Sequence, residues 1–249
     1  MKKFFVNKEQ IKNNIIEIIN EDVNHIKNVL RLEIGTLIQI SDGEKNYISK
    51  IKQINKDIII CEIVEVIGNQ NEASIKIDIF QGLPKSDKME YIIQKCTEIG
   101  VNEYFPVSMK RSIVKLFGKD EEKKILRWQK IAEGAAKQSG RDIIPKINNI
   151  KNIDNVCKII KDYDIFIVTY ELEDNESLKQ SLEKLNKENV NKIAVLIGPE
   201  GGIEEEEVEL LKKNGAKVVS LGRRILRTET VALAVSSIIM YEFGELGGI

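Results

Sequence analysis

Two glycine-containing stretches in the second half of the chain carry residue types that can do chemistry. Residues 198–202, GPEGG, directly follow the apolar run IAVLI, and residues 221–230, LGRRILRTET, place three arginines and two threonines near a glycine. Glycine allows a backbone to approach a ligand closely. Arginine presents a planar fork of donors that matches phosphate or carboxylate groups. The two stretches therefore predict a pair of ligand-binding loops.

The spacing within GPEGG argues against a polyphosphate ligand. Pro199 and Glu200 interrupt a GxGxxG pattern, and no Lys-Ser or Lys-Thr pair follows as in a phosphate-binding loop. Glutamates 204–207 begin the next predicted helix, where they suit the helix dipole but would repel phosphates. A cofactor with an adenosine and a positive centre is compatible with this loop. S-adenosylmethionine, which carries a sulfonium, is the common one.

The distribution of charge indicates where anions are recognised. The chain has 38 basic and 39 acidic side chains, with a basic excess between residues 110 and 146 and an acidic excess between 171 and 209. This predicts either a polarised surface or two solvated helical faces of opposite sign. Because lysine is the default basic residue here, retained arginines indicate phosphate or carboxylate recognition. There are seven of them: Arg31, Arg111, Arg127, Arg141, Arg223, Arg224 and Arg227.

Histidine and cysteine usage argues against metal and Ser-His chemistry. His25 is the only histidine and lies far along the chain from both glycine loops. A zinc site that contains histidine usually takes two or more such ligands, and a Ser-His pair needs its histidine beside the nucleophile. Cys61, Cys96 and Cys157 form no CxxC pair and lie in apolar periodic segments, so we expect them to pack. The sequence predicts no bound metal.

The composition is that of a globular protein. With 42% apolar residues among 249, the chain can bury one large core or two modest ones. No apolar run approaches the roughly 20 residues of a membrane span. The N-terminal MKKFFVNKEQ is followed by charge rather than by the apolar core of a secretory signal. We therefore expect a cytoplasmic protein without membrane contact.

The elements that must position the glycine loops follow from the hydrophobic pattern. Residues 1 to about 68 contain β-branched alternating runs, with a turn signal at Asp42-Gly43, which predicts a small β domain. Residues 68–74, GNQNEAS, have the composition of a linker. After Ile75, apolar strands alternate with helices, which predicts a parallel sheet covered on both faces. Ligands bind such sheets at the carboxyl ends of strands, where four loops fall: residues 81–85, 169–171, 198–202 and 221–230.

The motifs resemble those of the ribosomal RNA small subunit methyltransferase E family, in the SPOUT class of RNA methyltransferases. The similarity extends over nearly the whole chain, and its last motif is the most specific. It is carried, in the family's order, by FFVN, HIKNVLRLEIGTLIQISDG, GLPKSDKMEYIIQKCTEIGV, SMKRSIVK, RWQKIAEGAAKQSGR and LIGPEGGIEEEEVELLKKNGAKVVSLGRRILRTETVAL.

The resemblance implies a fold, an activity and partners. The fold is α/β, with a SPOUT-type parallel sheet and a C-terminal trefoil knot at residues 71–249, preceded by a PUA-like β-barrel for RNA binding at residues 1–70. The activity is N3-methylation of one uridine of 16S rRNA, as free RNA or in the small ribosomal subunit, with S-adenosylmethionine as cofactor. The protein is expected to be a homodimer, to which the apolar helix at residues 231–243 contributes.

The resemblance also implies the residues of the site. The positions that match the family's cofactor loops are Gly198, Gly201, Gly202, Leu221, Gly222, Ile225, Leu226 and Thr230. The predicted cofactor site is completed by Thr169, Leu196, Ile197, Glu200, Ser220, Thr228 and Ala232. The predicted RNA-contacting residues are Lys3, Arg31, Lys85, Lys88, Arg111, Gln138 and Arg141.

Methyl transfer to uridine N3 requires in-line geometry and loss of the N3 proton, so the site must supply a base or stabilise the uridine anion. Arg227 and Arg111 are the candidates for anion stabilisation. Glu98 and Glu229 are candidates for the base, or for partners that orient an arginine. Two alternatives stay open: another SPOUT enzyme that methylates a ribose 2′-hydroxyl or a different base, and a non-catalytic RNA-binding module. The intact LGRRILRTET argues against the second.

Overall fold

A computed structural model of the protein describes residues 1–248, which form two compact units. The first unit contains residues 1–72 and 136–144, and the second contains the rest. The first unit is therefore discontinuous along the chain, whereas the sequence predicted a contiguous N-terminal domain. No helix within the described residues combines the length and apolar character needed to cross a membrane.

The first unit is built on a six-stranded sheet in the order β1-β4-β5-β6-β3-β2. Strands β1 and β4 are parallel, and the other neighbours are antiparallel. The two ends of this order are not paired with each other in residues 1–248, so the sheet is open rather than a closed barrel. Its strands are β1 (Lys3–Phe5), β2 (Ile11–Lys12), β3 (Ile15–Ile19), β4 (Leu37–Ser41), β5 (Asn46–Ile54) and β6 (Ile58–Ile67).

One face of this sheet forms the core of the first unit. The turn between β4 and β5 falls where Asp42-Gly43 predicted it, because the Asp42 carboxylate accepts the backbone N–H groups of Glu44 and Lys45 at 2.9 and 2.7 Å. A short helix α1 (Glu21–Asn24) continues as a π-helical turn (His25–Val29) and buries Ile26 against the sheet. The buried alternate residues of the strands include Phe4, Ile16, Ile18, Ile38, Ile40, Ile51 and Ile59.

Two buried ion pairs join residues 136–144 to the rest of the first unit. Lys3 pairs with Asp142, whose side chains are 3% and 1% exposed. Arg141 pairs with Glu72 at 2.6 Å. Burial alone would raise the pKa of Asp142, but hydrogen bonds from Lys3 and from the backbone of Asn71 and Gln70 outweigh it and hold that pKa below its usual value.

The second unit is a parallel α/β sheet, as the sequence predicted. Its order is β10-β8-β7-β12-β11-β13, with β9 beside β8, and every neighbouring pair is parallel. Strands β11 and β12 are apolar over most of their length, because helices cover both faces, whereas the central strand β7 also buries Asp78 and Gln81. The strands are β7 (Lys76–Gly82), β8 (Glu103–Ser108), β9 (Lys146–Ile147), β10 (Lys151–Asn152), β11 (Ile165–Thr169), β12 (Lys192–Ile197) and β13 (Lys217–Val219).

The connecting helices leave the strand ends free to carry loops. Helix α2 is followed by its C-cap Gly100, which has the left-handed φ of +113°. Trp128 of α3 is 4% exposed and belongs to the core. The helices are α2 (Lys88–Ile99), α3 (Lys119–Ser139), α4 (Ile153–Cys157), α5 (Leu178–Glu183), α6 (Glu205–Lys213) and α7 (Thr228–Glu242), with short 3-10 turns at Ile160–Asp162 and Lys187–Asn189.

The last helix is only partly buried. One face of α7 packs against α2, where Ser236 and Met240 lie against Cys96 and Gly100. The opposite face keeps Ile238 and Tyr241 exposed. The apolar helix is thus covered on one side within the chain.

Candidate functional site

The two glycine loops meet in one cleft at the carboxyl edge of the parallel sheet. Strands β11, β12 and β13 lie side by side in parallel, so the loops that follow them emerge together. They enclose a cavity of about 830 Å³. Its walls come from residues 169–177, 197–202 and 220–228, with Lys88, Gln180 and Val231. The volume and the convergence of three loops are those of a small-molecule site.

Most of the predicted cofactor residues line this cleft. They are Thr169, Ile197, Gly198, Glu200, Gly202, Ser220, Leu221, Gly222, Ile225, Leu226 and Thr228. Four do not line it. Leu196 and Ala232 are completely buried in β12 and α7, and Gly201 lies against the Arg111 side chain. Thr230 faces a separate groove between α2 and α7.

An acidic wall of the cleft extends the predicted loop 169–171 to residue 176, and the part after Glu171 was not predicted as a site. It follows β11 and contains Tyr170, Glu171, Glu173, Asp174 and Glu176. The segment is held beside the second glycine loop because the Ser220 N–H donates to the Glu176 carbonyl at 2.8 Å and the Leu178 N–H to the Ser220 carbonyl at 3.0 Å. The acidic composition and the position after a strand were visible in the sequence. The pairing that turns them into a wall was not.

Glycine is required at two positions of GPEGG. Gly202 has φ +73°, and a Cβ placed on it would lie 2.5 Å from Glu171 Oε1. A Cβ on Gly198 would lie 2.8 Å from the Ile203 side chain. The left-handed φ favours glycine at position 202, where the Glu171 carboxylate could move aside, and the contacts with Ile203 and with the backbone of Gly202 favour glycine at position 198.

Arg111 holds the outer side of the same turn. Its Nε and Nη2 donate to the two carboxylate oxygens of Glu204 at 2.9 and 3.1 Å, and its Nη1 donates to the Gly201 carbonyl at 3.1 Å. The hydrogen bonds from Arg111 lower the pKa of Glu204, and those to Glu204 raise the pKa of Arg111. Arg111 was predicted to stabilise an anion or to contact RNA. Its fork is instead occupied by the protein itself.

Three of the four glutamates 204–207 are bonded to other groups of the second unit. The Glu207 carboxylate accepts the Lys110 N–H at 3.0 Å and the Glu204 N–H at 3.3 Å, and the Lys110 ammonium pairs with Glu206. With Arg111 on Glu204, three of the four glutamates are engaged. The run therefore holds residues 110 and 111 against the start of α6, and its four glutamates are not among the residues that line the cleft.

Lys88 joins the first glycine loop to the last helix. Its ammonium lies 3.1 Å from Glu200 Oε1 and 3.2 Å from Glu229 Oε2, and the Lys85 N–H donates to Glu200 at 3.0 Å. Burial would lower the pKa of Lys88, but bonding to the two carboxylates raises it. Burial would likewise raise the pKa of Glu200, but bonds from the backbone and Lys88 lower it. Glu229, a candidate base, is thus held in an ion pair.

A buried polar chain connects β7, GPEGG and α7. Gln81 is completely buried, and its Nε2 donates to Thr228 Oγ1 at 2.8 Å. Thr228 Oγ1 in turn donates to the Gly198 carbonyl at 2.7 Å. Gln81 belongs to one of the four loops predicted from the sequence, but a glutamine there did not by itself indicate a buried hydrogen bond to Thr228.

Three arginines stand at the mouth of the cleft with exposed side chains. Arg223, Arg224 and Arg227 line it and form no ion pair with any residue in the described part of the chain. Arg227 directly precedes α7 as its N-cap. Their forks are therefore available to a phosphate or to another anion.

The remaining predicted residues fall elsewhere. Glu98 lies in the last turn of α2, which runs back from the carboxyl end of β7 to the amino end of β8, so it is at the opposite edge of the sheet and pairs with Lys95 at 2.8 Å. Lys3 and Arg141 are buried in ion pairs and cannot contact RNA directly. Arg31, Lys85 and Gln138 are exposed. No group of three or more metal-ligating side chains occurs in residues 1–248.

Comparison with known proteins defines the class. A family model described as an RNA methyltransferase domain matches residues 71–240, and one described as an RNA methyltransferase PUA domain matches residues 18–64. The chain is therefore an RNA methyltransferase by family, with the cleft inside the methyltransferase domain.

Individual relatives define the family more closely. The chain is 36% identical over its whole length to ribosomal RNA small subunit methyltransferase E of Bacillus subtilis, of which it covers 99%. It is 35% identical to that of Mesomycoplasma hyopneumoniae, over 94% of this chain and 96% of the relative. A crystal structure of that enzyme from Neisseria gonorrhoeae bound to S-adenosyl methionine is 27% identical, with a TM-score of 0.87 over 99% of both chains. The chain belongs to the ribosomal RNA small subunit methyltransferase E family, which confirms the resemblance seen in its motifs.

Proposed function

We propose that this chain transfers a methyl group from S-adenosylmethionine to N3 of a uridine in 16S rRNA, free or in the small ribosomal subunit. The observation that carries the proposal is the cleft in which GPEGG and LGRRILRTET meet, in a chain similar over its full length to enzymes of this family. The Neisseria relative binds S-adenosyl methionine with the same fold. Ribosomal RNA as substrate also assigns the protein to the cytoplasm.

The residues of the cleft fit this cofactor. Backbone groups of Gly198, Leu221, Gly222, Ile225 and Leu226 would read the adenosine, because these positions bring main chain to the cavity surface. The acidic wall of residues 171–176 suits a ligand with positive centres. When bound, the cofactor supplies an electrophilic methyl group on its sulfonium.

The arginines at the mouth would act on the RNA. Uridine N3 becomes nucleophilic once its proton is lost, and the charge that results needs a cation nearby. Arg227 is assigned this role because it has no ion pair within residues 1–248 and precedes α7 directly at the cleft. Arg223, Arg224 and Lys85 are assigned to phosphates. Glu98 has no place in this site, and Glu229 acts through Lys88 on the loop that carries Glu200.

The two parts of the chain divide the work. Residues 1–70 would dock RNA as a PUA-like domain with Arg31 among the contacts. Gln138, which belongs to the same compact unit, would add a further contact, and residues 71–249 would carry the methyl transfer. The C-terminal segment would form the trefoil knot of SPOUT enzymes. The similarity over the full length of the chain to enzymes of this family supports this proposal.

A second copy of the chain would cover α7. The outward face of this helix exposes Ile238 and Tyr241, and a groove of about 680 Å³ runs between α2 and α7 beside Tyr91 and Leu233. Exposed apolar surface of this kind marks protein contacts. Sedimentation at micromolar concentration should give a dimer, and a fully active monomer would contradict this part of the proposal.

The activity is tested on 16S rRNA from cells that lack this protein. Incubation with the purified chain and S-adenosylmethionine, followed by nucleoside mass spectrometry, should yield 3-methyluridine. A 2′-O-methyl nucleoside or another methylated base would replace the proposed reaction with that of a sister enzyme. RNA binding without any methylated product would leave only a binding module.

Arg227 is tested in the same assay. Arg227→Lys keeps the charge but loses the fork, so turnover should fall by more than about tenfold while cofactor affinity changes by less than about twofold. Arg127→Lys is the control, because Arg127 lies on α3 and pairs with Glu90 away from the cleft. A loss of cofactor binding in Arg227→Lys equal to its loss of turnover would overturn the assignment.

A further inference from the structure

Gln81 is a buried amide that uses only one side of its hydrogen-bonding capacity. Its Nε2 donates to Thr228 Oγ1 at 2.8 Å and to the Gly82 carbonyl at 2.9 Å. Its Oε1 is buried and has no hydrogen-bond partner in the described part of the chain. Leaving a buried acceptor unpaired costs about 1–3 kcal/mol. An apolar side chain of similar size would avoid that cost, so the value of Gln81 lies in its nitrogen.

The direction of the polar chain is fixed by the number of protons. A threonine hydroxyl has one hydrogen, and that of Thr228 is used toward the Gly198 carbonyl at 2.7 Å. Thr228 Oγ1 must therefore accept from Gln81, which is the only arrangement that satisfies both distances. Gln81 is completely buried and Thr228 is 6% exposed, so water does not compete for the bond between them.

The hydrogen bonds of Gln81 and Thr228 reach both of the glycine loops. Gly198 begins GPEGG directly after β12, and Thr228 ends the loop that began at Leu221 and starts α7. Gln81 stands opposite Ile197 in the register of β7 and β12, one residue before Gly198. One side chain of the central sheet is thus bonded, directly or through a hydroxyl, to both loops that form the cleft.

We infer that Gln81 is a positioning residue for cofactor binding: through Thr228 it sets the separation of the GPEGG and LGRRILRTET loops. The inference rests on the proposed function, since it requires that the cleft bind S-adenosylmethionine. It adds a residue outside the cavity lining to those on which cofactor affinity depends. Without Gln81 the loops keep their sequence but lose the bond that holds them at one spacing.

The test compares variants that keep the side-chain volume but remove a hydrogen-bonding group with a variant that keeps the hydroxyl. Gln81→Met and Thr228→Val preserve volume and remove one member of the chain, and each should weaken S-adenosylmethionine binding by about tenfold in calorimetry. Thr228→Ser keeps the hydroxyl and should recover most of the affinity that Thr228→Val loses. The double variant Gln81→Met, Thr228→Val should be no worse than either single one, because the two residues act through one bond.

A matched control separates positioning from general stability. Tyr163 donates to the buried carboxylate of Asp78 at 2.9 Å, at the amino end of β7, three residues before Gln81. Tyr163→Phe should lower the melting temperature in the range of Gln81→Met and leave cofactor affinity within about twofold. At saturating cofactor, Gln81→Met should recover turnover, so that KM for the cofactor rises more than kcat falls.

The outcomes distinguish the two proposals. If the wild type binds S-adenosylmethionine and Gln81→Met binds it equally well, the positioning role is wrong and the proposed function stands. If the wild type shows no binding, both fail. If Gln81→Met does not fold, the comparison of Thr228→Val with Thr228→Ser decides, and equal affinities of these two would overturn the inference.

Discussion

Arg111 donates two hydrogen bonds to the Glu204 carboxylate, of 2.9 and 3.1 Å, and a third nitrogen of the same guanidinium donates to the Gly201 carbonyl at 3.1 Å. Three donors of one side chain thus hold the helix start and the glycine turn that precedes it. This geometry requires a fork, because an ammonium cannot reach three acceptors in one plane. Arg111, predicted from the sequence to stabilise an anion or contact RNA, thus holds the GPEGG turn in the structure.

Replacing Arg111 should loosen the loop without unfolding the chain. Arg111→Lys is expected to weaken cofactor binding by about three- to tenfold with little change in melting temperature, since the residue is exposed and its loss uncovers no core. Calorimetry with S-adenosylmethionine measures the effect, and Arg127→Lys serves as the control. If Arg111→Lys kept full cofactor affinity and lost turnover, Arg111 would act on the substrate after all.

Gly202 should tolerate no side chain. Its φ of +73° is strained by about 1–2 kcal/mol for other residues, and a Cβ would lie 2.5 Å from Glu171 Oε1 in the cleft wall. Gly202→Ala should therefore reduce cofactor affinity by at least about tenfold. Gly68→Ala is the control, because a Cβ there meets nothing within 4 Å. Equal affinities in the two variants would mean that the turn does not touch the ligand.

The Lys3–Asp142 pair should make the first unit sensitive to acid. The pKa of Asp142 is lowered in the folded state, so its contribution to stability is fully present above the unfolded pKa of about 4 and is lost as pH falls through the folded pKa. Urea unfolding between pH 7 and pH 3 measures this dependence. In Asp142→Asn, the free energy of unfolding should depend less on pH at the acid end of this range.

The same pair should be costly to break at neutral pH. Lys3→Met leaves a buried carboxylate without its partner, which costs about 3–5 kcal/mol. Lys8→Met, at an exposed pair with Glu44, should change stability little. If Lys3→Met were as stable as Lys8→Met, the pair would not be buried as the structure has it.

The sequence predicted the cleft well where one rule of topology sufficed. Parallel strands end at the same edge, so GPEGG and LGRRILRTET had to meet once the βα alternation was recognised. The same rule places Glu98 away from the cleft. A helix between two parallel strands ends at the edge of the sheet where the strands begin, and Glu98 lies in the last turn of such a helix. What lay beyond reach were long-range pairings. Lys3 meets Asp142 across 139 positions, and the acidic wall depends on the bond between Ser220 and Glu176.

Arg31 should contribute to RNA affinity through an electrostatic contact with one phosphate. It is exposed, has a left-handed φ of +51°, and forms no ion pair with any residue in the described part of the chain. A single phosphate contact releases about one counterion, so Arg31→Gln should lower RNA affinity and reduce the slope of log affinity against log salt by about one. Lys8→Gln is the matched control in the same unit, because Lys8 already pairs with Glu44. Filter binding of a 16S rRNA fragment, over a salt range of about 50 to 300 mM, measures the RNA affinity and the salt slope of each variant. An unchanged slope in Arg31→Gln would remove Arg31 from the RNA contacts, whereas equal changes in both variants would reduce its effect to net charge.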